Sequence, residues 1–134
     1  MTKYLLDTNI CAFYIRGRFE LNTKIKEIGG LEVCAISEIT LAELRYGAEL
    51  SEYKSENFAK INTLIEFVSV LPINRAIPLF AKEKARLKTI NKIIDNFDLL
   101  IGTTAVASNL IMVSENVKHF ERIENIKLEN WVKR

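Results

Sequence analysis

The sequence predicts an α/β domain built on a mainly parallel sheet that helices cover on both faces. Short runs rich in apolar and β-branched residues recur along the chain with helical stretches between them, which is the spacing of βαβ units. A sheet assembled that way buries both faces. Composition agrees: 134 residues, 49% hydrophobic and 27% charged, with two prolines, five glycines and no low-complexity run, suit one compact domain over 1–134.

The elements follow in order. The first strand, "KYLL" at 3–6, runs straight into Asp7, Thr8 and Asn9 and then a helix over 9–17, followed by another over 21–28. "EVCAI" at 32–36 is the second strand, with helices over 38–50 and 54–66 behind it, and "FVSVLPI" at 67–73 is the third. A helix over 75–90 starts near Asn74, and one over 96–108 starts close after Asp95 or Asn96, all competent N-caps. "LIMV" at 110–113 and "IKLENW" at 126–131 complete the sheet, with Trp131 anchoring the end. The stretch "FDLLIGTTAVA" is apolar or small all round, so its helix is central, and Gly102 within it implies close approach of a neighbour. In "SEITLAELRYGA", Ile39, Ala42, Glu43 and Tyr46 share one stripe, which is read as a core-facing side with Tyr46 in the core. Glu43 then points from an apolar face, where a charge is costly unless paired or coordinated.

Several functions are excluded early. No apolar run approaches the roughly 20 residues of a membrane span, and no basic stretch followed by a signal core opens the chain, so a cytoplasmic protein without membrane contact is expected. Cys11 and Cys34 form no CxxC, and with one histidine in the chain they read as core residues rather than zinc ligands. The net charge of +2 is by itself no sign of a nucleic-acid partner. Lys82, Lys84, Arg86, Lys88 and Lys92 crowd one helix, and further basic residues, among them Lys118, His119 and Arg122, populate the last fifth of the chain. Each group is either a solvated face or a phosphate-facing surface.

Three acids each have an innocent reading. Asp7 can cap a helix, Glu43 stands three after Thr40 in the pattern of a capping box, and Asp98 stands three after Asp95 on a first turn. If Ser37 caps instead of Thr40, Glu43 lies beyond the capping role; if Asp95 caps, Asp98 is free. Position joins them, because ligands of open parallel sheets bind beyond the carboxyl ends of the strands. Asp7 is at such an end, Ser114, Glu115 and Asn116 follow another, and Glu43 and Asp98 lie in early turns beside the same edge. Carboxylates about 4 Å apart repel by about 4 kcal/mol at an effective dielectric of about 20, so three mutual pairs cost on the order of 10 kcal/mol. Either protons or a cation must offset that. All-oxygen ligands suit Mg²⁺ or Mn²⁺, whose bound water is a source of nucleophile for phosphodiester hydrolysis.

"YLLDTN", "SEITLAELRYGA", "IDNFDLLIGTTAVA" and "IMVSENVKHFERIENIKLENW" together resemble the four signature segments of PIN-domain ribonucleases, specifically VapC-type toxins of bacterial toxin–antitoxin pairs. The resemblance implies a three-layer α/β/α fold with a twisted sheet. It also implies a Mg²⁺- or Mn²⁺-dependent endoribonuclease that cuts tRNA or rRNA and inhibits translation. Its partners would be a cognate antitoxin and RNA, in a homodimer or a higher hetero-oligomer with the antitoxin, with DNA reached only through the antitoxin. Residue by residue it puts Asp7, Glu43 and Asp98 on the family acids and Asn116 in the fourth slot, where a lost negative charge favours a one-ion mechanism. The implied roles are Asp7 and Asp98 on the ion, directly or through water, Glu43 on the attacking water and through it on the ion, and Asn116 as a hydrogen-bonding guide. Thr8, Asn9, Asp95, Glu115 and Arg45 are supporting or substrate residues, and His119 reads as a surface histidine rather than a proton donor. A groove near Tyr14, Tyr46 and Leu50 would take an apolar partner helix. Two rivals stand beside this: a PIN-like module that binds without cutting, conceivable because of Asn116, and a phospho-acceptor receiver domain. The receiver needs an aspartate just after the third strand, and "FVSVLPINR" has none.

Overall fold

The computed structural model describes all 134 residues. Its strands are β1 (Tyr4–Leu6), β2 (Cys34–Ser37), β3 (Ser69–Leu71), β4 (Ile111–Val113) and β5 (Lys127–Glu129). They line up as β3-β2-β1-β4-β5, every neighbouring pair parallel. The helices are α1 (Thr8–Ile15), α2 (Leu21–Glu27), α3 (Glu38–Leu50), α4 (Lys54–Phe67), α5 (Ile77–Thr89), α6 (Asn96–Ala107) and α7 (Val117–Phe120).

Strand period sorts the core into two halves. Leu6, Ile36 and Val113 point to one face and pack with Ile10 and Cys11 of α1, Leu21 and Ile25 of α2, Leu44 of α3 and Ile61 of α4. Leu5, Ala35 and Met112 point to the other and pack with Leu87 of α5, Leu99, Ile101 and Ala105 of α6 and Phe120 of α7. The expected three-layer α/β/α arrangement is therefore present. Cys11 and Cys34 are free and buried, and Trp131 is buried edge-on to Tyr4 with ring centroids 5.1 Å apart. No helix is long and apolar enough to cross a membrane.

Local chemistry explains the boundaries. Asp7 caps α1, and α1 stops where Gly17 turns the chain at φ +69°, a conformation that costs glycine least. Ser37 ends β2 and its hydroxyl accepts the Ile39 amide at 3.0 Å, so Ser37 and not Thr40 caps α3. Glu32 and Val33, expected in the second strand, belong instead to a 3₁₀ turn at Leu31–Val33. Asn74 does not cap α5: the cap position is Ala76, and Pro78 in the first turn supplies a helix-ready φ without an N–H to satisfy. Asp95 caps α6 as expected.

The inward stripe of α3 is Thr40, Leu44 and Ala48, whereas Tyr46 is 66% exposed and lies outside the core. The helix rests its i, i+4, i+8 ridge on the core, which turns the Ile39, Ala42, Glu43 and Tyr46 stripe to the flank. Helix α7 is missing from the sequence reading, because four residues carry no period to detect.

Candidate active site

The register of the three central strands places the site. Leu6 pairs with Val113 and Leu5 with Ala35, so Asp7 leaves the sheet beside Ser114 on one side and Ser37 on the other. Asp7 is only 5% exposed. One carboxylate oxygen accepts the Thr8 amide at 2.8 Å, the helix-capping bond, and the other accepts the Ser114 hydroxyl at 2.7 Å. Ser114 in turn accepts the Asn116 amide at 2.9 Å. Both readings of Asp7 are thus compatible: it caps α1 with one oxygen and leaves its charge buried at the sheet edge. Burial pushes its carboxyl up to about 6, against the two hydrogen bonds that lower it, and the charges of Asp98 and Glu43 push the same way as burial.

Glu43 stands in the second turn of α3, beyond the cap. Its Oε1 accepts the Thr8 hydroxyl at 2.6 Å, and the Thr40 hydroxyl lies 3.1 Å from that of Thr8. A carboxylate only accepts, so the Thr8 proton goes to Glu43 and Thr40 supplies the second hydrogen bond. Asp98 sits on the first turn of α6, freed from capping because Asp95 accepts the Phe97 and Asp98 amides at 3.1 and 3.4 Å. Its carboxyl is also raised, first by burial and then by the charges of Asp95 and Glu43, while His119 opposes the shift. The charges of Asp98 and Glu43 both act on Asp7, and that of Glu43 acts on Asp98, so the three lie in one electrostatic cluster.

The remaining candidates divide. Asn116 occupies the cap position of α7, with Nδ2 2.7 Å from Nδ1 of His119, and that nitrogen lies 3.9 Å from Asp98. His119 is therefore no isolated surface histidine: it borders the acids. Glu115 turns away into a two-pronged ion pair with Arg134 at 2.5 and 3.1 Å. Arg45 lies over the Phe58 ring, 4.8 Å from its centroid, rather than against Glu43. Asn9 keeps a buried side-chain oxygen without a hydrogen-bond partner. Ser114 was expected only by its place after the fourth strand and Thr40 only as a possible cap; the hydrogen bonds that tie them to Asp7 and Thr8 have no signal in the sequence.

The acids do not form a closed cage, since no three of the His, Cys, Asp and Glu side chains meet around a point that could hold an ion. Their donors are carboxylate and hydroxyl oxygens, a set that suits a hard ion keeping most of its waters. It does not fit a tetrahedral zinc site.

The PIN domain family matches residues 4–126 of the sequence. The chain belongs to the PIN-domain family. Within it the likeness is to VapC ribonucleases. Ribonuclease VapC2 of Haemophilus influenzae is 38% identical over 134 residues, covering 98% of this chain and 100% of that one. The tRNA(fMet)-specific endonuclease VapC of Shigella flexneri is 34% identical over 139 residues, covering 98% and 99%. Among solved structures, VapBC2 from Rickettsia felis, bound to a DNA fragment from its promoter, superposes with a TM-score of 0.85 at 33% identity, covering 97% of this chain and 99% of that one.

Proposed function

We propose that this chain is a divalent-metal-dependent endoribonuclease, the toxin of a VapBC-type pair, which cuts tRNA or rRNA and so inhibits translation. The observation that carries this is Asp7: a buried carboxyl fixed by Ser114 and the Thr8 amide, beside two further acids, at the sheet edge where ligands bind. Such a cluster is costly in the folded protein unless something offsets its charge.

Asp7 and Asp98 would hold Mg²⁺ or Mn²⁺, directly or through water. When bound, the ion supplies charge neutralisation and an acidified water near neutral pH. The protein's own groups do the rest. The Thr8 hydroxyl occupies Oε1 of Glu43 and so fixes the carboxylate, leaving Oε2 to take the proton of the attacking water. Asn116, tethered by its backbone amide to Ser114 and by Nδ2 to His119, keeps side-chain hydrogen-bonding capacity for a phosphate oxygen or a water. Attack at phosphorus breaks the P–O3′ bond and leaves a 5′-phosphate and a 3′-hydroxyl.

Grooves beside the acids suit the antitoxin. A groove of about 410 Å³ runs between α1, α3 and α4, with Thr8 and Glu43 at one end and Leu44, Leu50 and Ile61 further along. A second, of about 510 Å³, adjoins it at Ile15 and Lys60 and includes Tyr14, Leu64 and Phe67. An amphipathic helix fits this path and ends at the acids. Tyr46, expected in the groove, lines neither part. A homodimer, or a larger hetero-oligomer that meets DNA through the antitoxin, completes the proposal, in keeping with the promoter-bound complex of the Rickettsia relative.

The decisive assay incubates the purified, partner-free chain with bulk tRNA or rRNA and Mg²⁺ or Mn²⁺. Cleavage is expected in the wild type, none in EDTA, and none in folded Asp7→Asn or Asp98→Asn. Retained activity in either variant rejects the assignment. A protein that cuts nothing and shows no saturable Mn²⁺ binding dependent on these two aspartates is instead the non-cutting module.

A further inference from the structure

We propose that a basic cleft between the α5–α6 turn and α7 is the docking surface for the RNA backbone beside the acids; the inference rests on the nuclease reading above and extends it to where the strand lies. The cleft measures about 710 Å³ and is lined by Arg86, Lys92, Lys118 and Arg122 against a single acid, Glu121.

Not all of this charge is free. Arg86 is neutralised by Glu83, whose two oxygens accept its guanidinium at 2.9 and 2.8 Å, and by Glu124 at 3.3 Å. Lys92, Lys118 and Arg122 take part in none of the chain's four ion pairs. An open concavity that keeps three uncompensated cations is complementary to a polyanion.

The cleft is also held in shape. Arg86 donates to the Arg122 carbonyl at 2.7 Å, Arg122 donates to the Ile93 carbonyl at 3.1 Å, and Glu83 accepts the Glu124 amide at 3.0 Å. These bonds tie α5, the turn before α6 and the segment after α7 together, so the cations stand on a fixed frame.

Its position meets a need of the reaction. A site built of carboxylates repels the phosphates on either side of the one being cut, and cations close by must hold them. Helix α7 is the shared wall: Lys118 lines the cleft while the next residue, His119, lies 3.9 Å from Asp98. On the other wall, Ile93 stands just before Asp95 and the first turn of α6 that bears Asp98. The exposed Ile90 and Ile93 would also suit a second copy of the chain, but a self-matched interface there brings like charges together.

The test measures binding of fluorescein-labelled bulk tRNA, in EDTA and on an Asp98→Asn background so that nothing is cut. Lys92→Ala with Lys118→Ala is expected to weaken binding on the order of tenfold near 0.1 M salt. The slope of log affinity against log salt should fall by roughly 0.7 for each lysine lost. Lys82→Ala with Lys84→Ala, elsewhere on α5, should leave both unchanged. Arg122 is spared because it pins Ile93. Unchanged affinity and slope in the Lys92 and Lys118 variant overturn the cleft while wild-type tRNA cleavage leaves the nuclease reading standing. An equal loss in the Lys82 and Lys84 variant overturns it as well, by showing a response to net charge alone. A shift to monomer with intact RNA binding assigns the face to a second copy and overturns the proposal, and a wild type that neither cuts nor binds tRNA or rRNA overturns both readings.

Discussion

At Asp7 the requirements of stability and of chemistry oppose each other. The carboxyl titrates near 6 in the folded chain, against 3.8 when unperturbed, so between those values the native state binds the proton more tightly than the unfolded chain does. Stability conferred by that proton is fully present below about 4 and is lost as pH rises through 6. The raised carboxyl of Asp98 adds to the loss in the same direction. Over the full shift the penalty is on the order of 3 kcal/mol at neutral pH. Asp7→Asn removes the charge and keeps an oxygen for the Thr8 amide, so metal-free Asp7→Asn should melt higher than wild type at pH 7. Its advantage should shrink toward pH 4. Thermal melts across that range decide it, and a variant less stable than wild type at pH 7 sinks the idea. The sequence discloses this residue because an ionised acid at a strand end is costly enough to ask for a reason. It does not disclose Ser114, a neutral side chain whose bond to Asp7 spans 107 positions of sequence. Nor does it disclose that Glu115, the more obvious acid, is claimed by Arg134.

Helices were more legible than the faces they present. Caps and apolar period locate α3 at Glu38–Leu50 and α6 at Asn96–Ala107, because Ser37 and Asp95 stop the chain chemically at one end. Which stripe of α3 turns inward is decided by α1, α4 and the sheet, and so Tyr46 is exposed although its spacing from Ile39 suggested core. Strands of three residues are hard to bound for the same reason: β3 is an edge strand whose Val70 is partly open, and its sequence alone resembles a buried one. Gly102 shows the opposite case, a packing demand visible as a glycine in a helix. A methyl group there would overlap the end of the Ile123 side chain and press to 3.1 Å on the Phe120 ring. Gly102→Ala gains about 1 kcal/mol of helix propensity but forces that overlap, which typically costs about 1–3 kcal/mol. The melting temperature should fall. Because Phe120 ends α7, RNase activity should fall with it, and an unchanged melting temperature would show that Ile123 yields freely.

Across the whole molecule, the sheet order brings distant segments to one edge, and this order is not written in any local stretch. With β1 between β2 and β4, the chain delivers Asp7, Glu43, Asp98 and Asn116 from four separate regions. Local pattern marks each as an end of a strand or helix; only the pairing of Leu6 with Val113 sets Asp7 against Ser114. The cluster then has a consequence for the fold as a unit. Acids gathered at neutral pH lower stability, and an ion bound only by the native state restores it by mass action, about 2.7 kcal/mol at 100 times its dissociation constant. Mn²⁺ should therefore raise the melting temperature of the wild type at pH 7. The increase should diminish as pH drops below about 6, where Asp7 gains its proton, because ligand oxygens must first lose theirs. Asp7→Asn and Asp98→Asn should show little or no increase at any pH. Scanning calorimetry with and without Mn²⁺ measures all three proteins, and equal stabilisation of the variants would place the ion away from these acids.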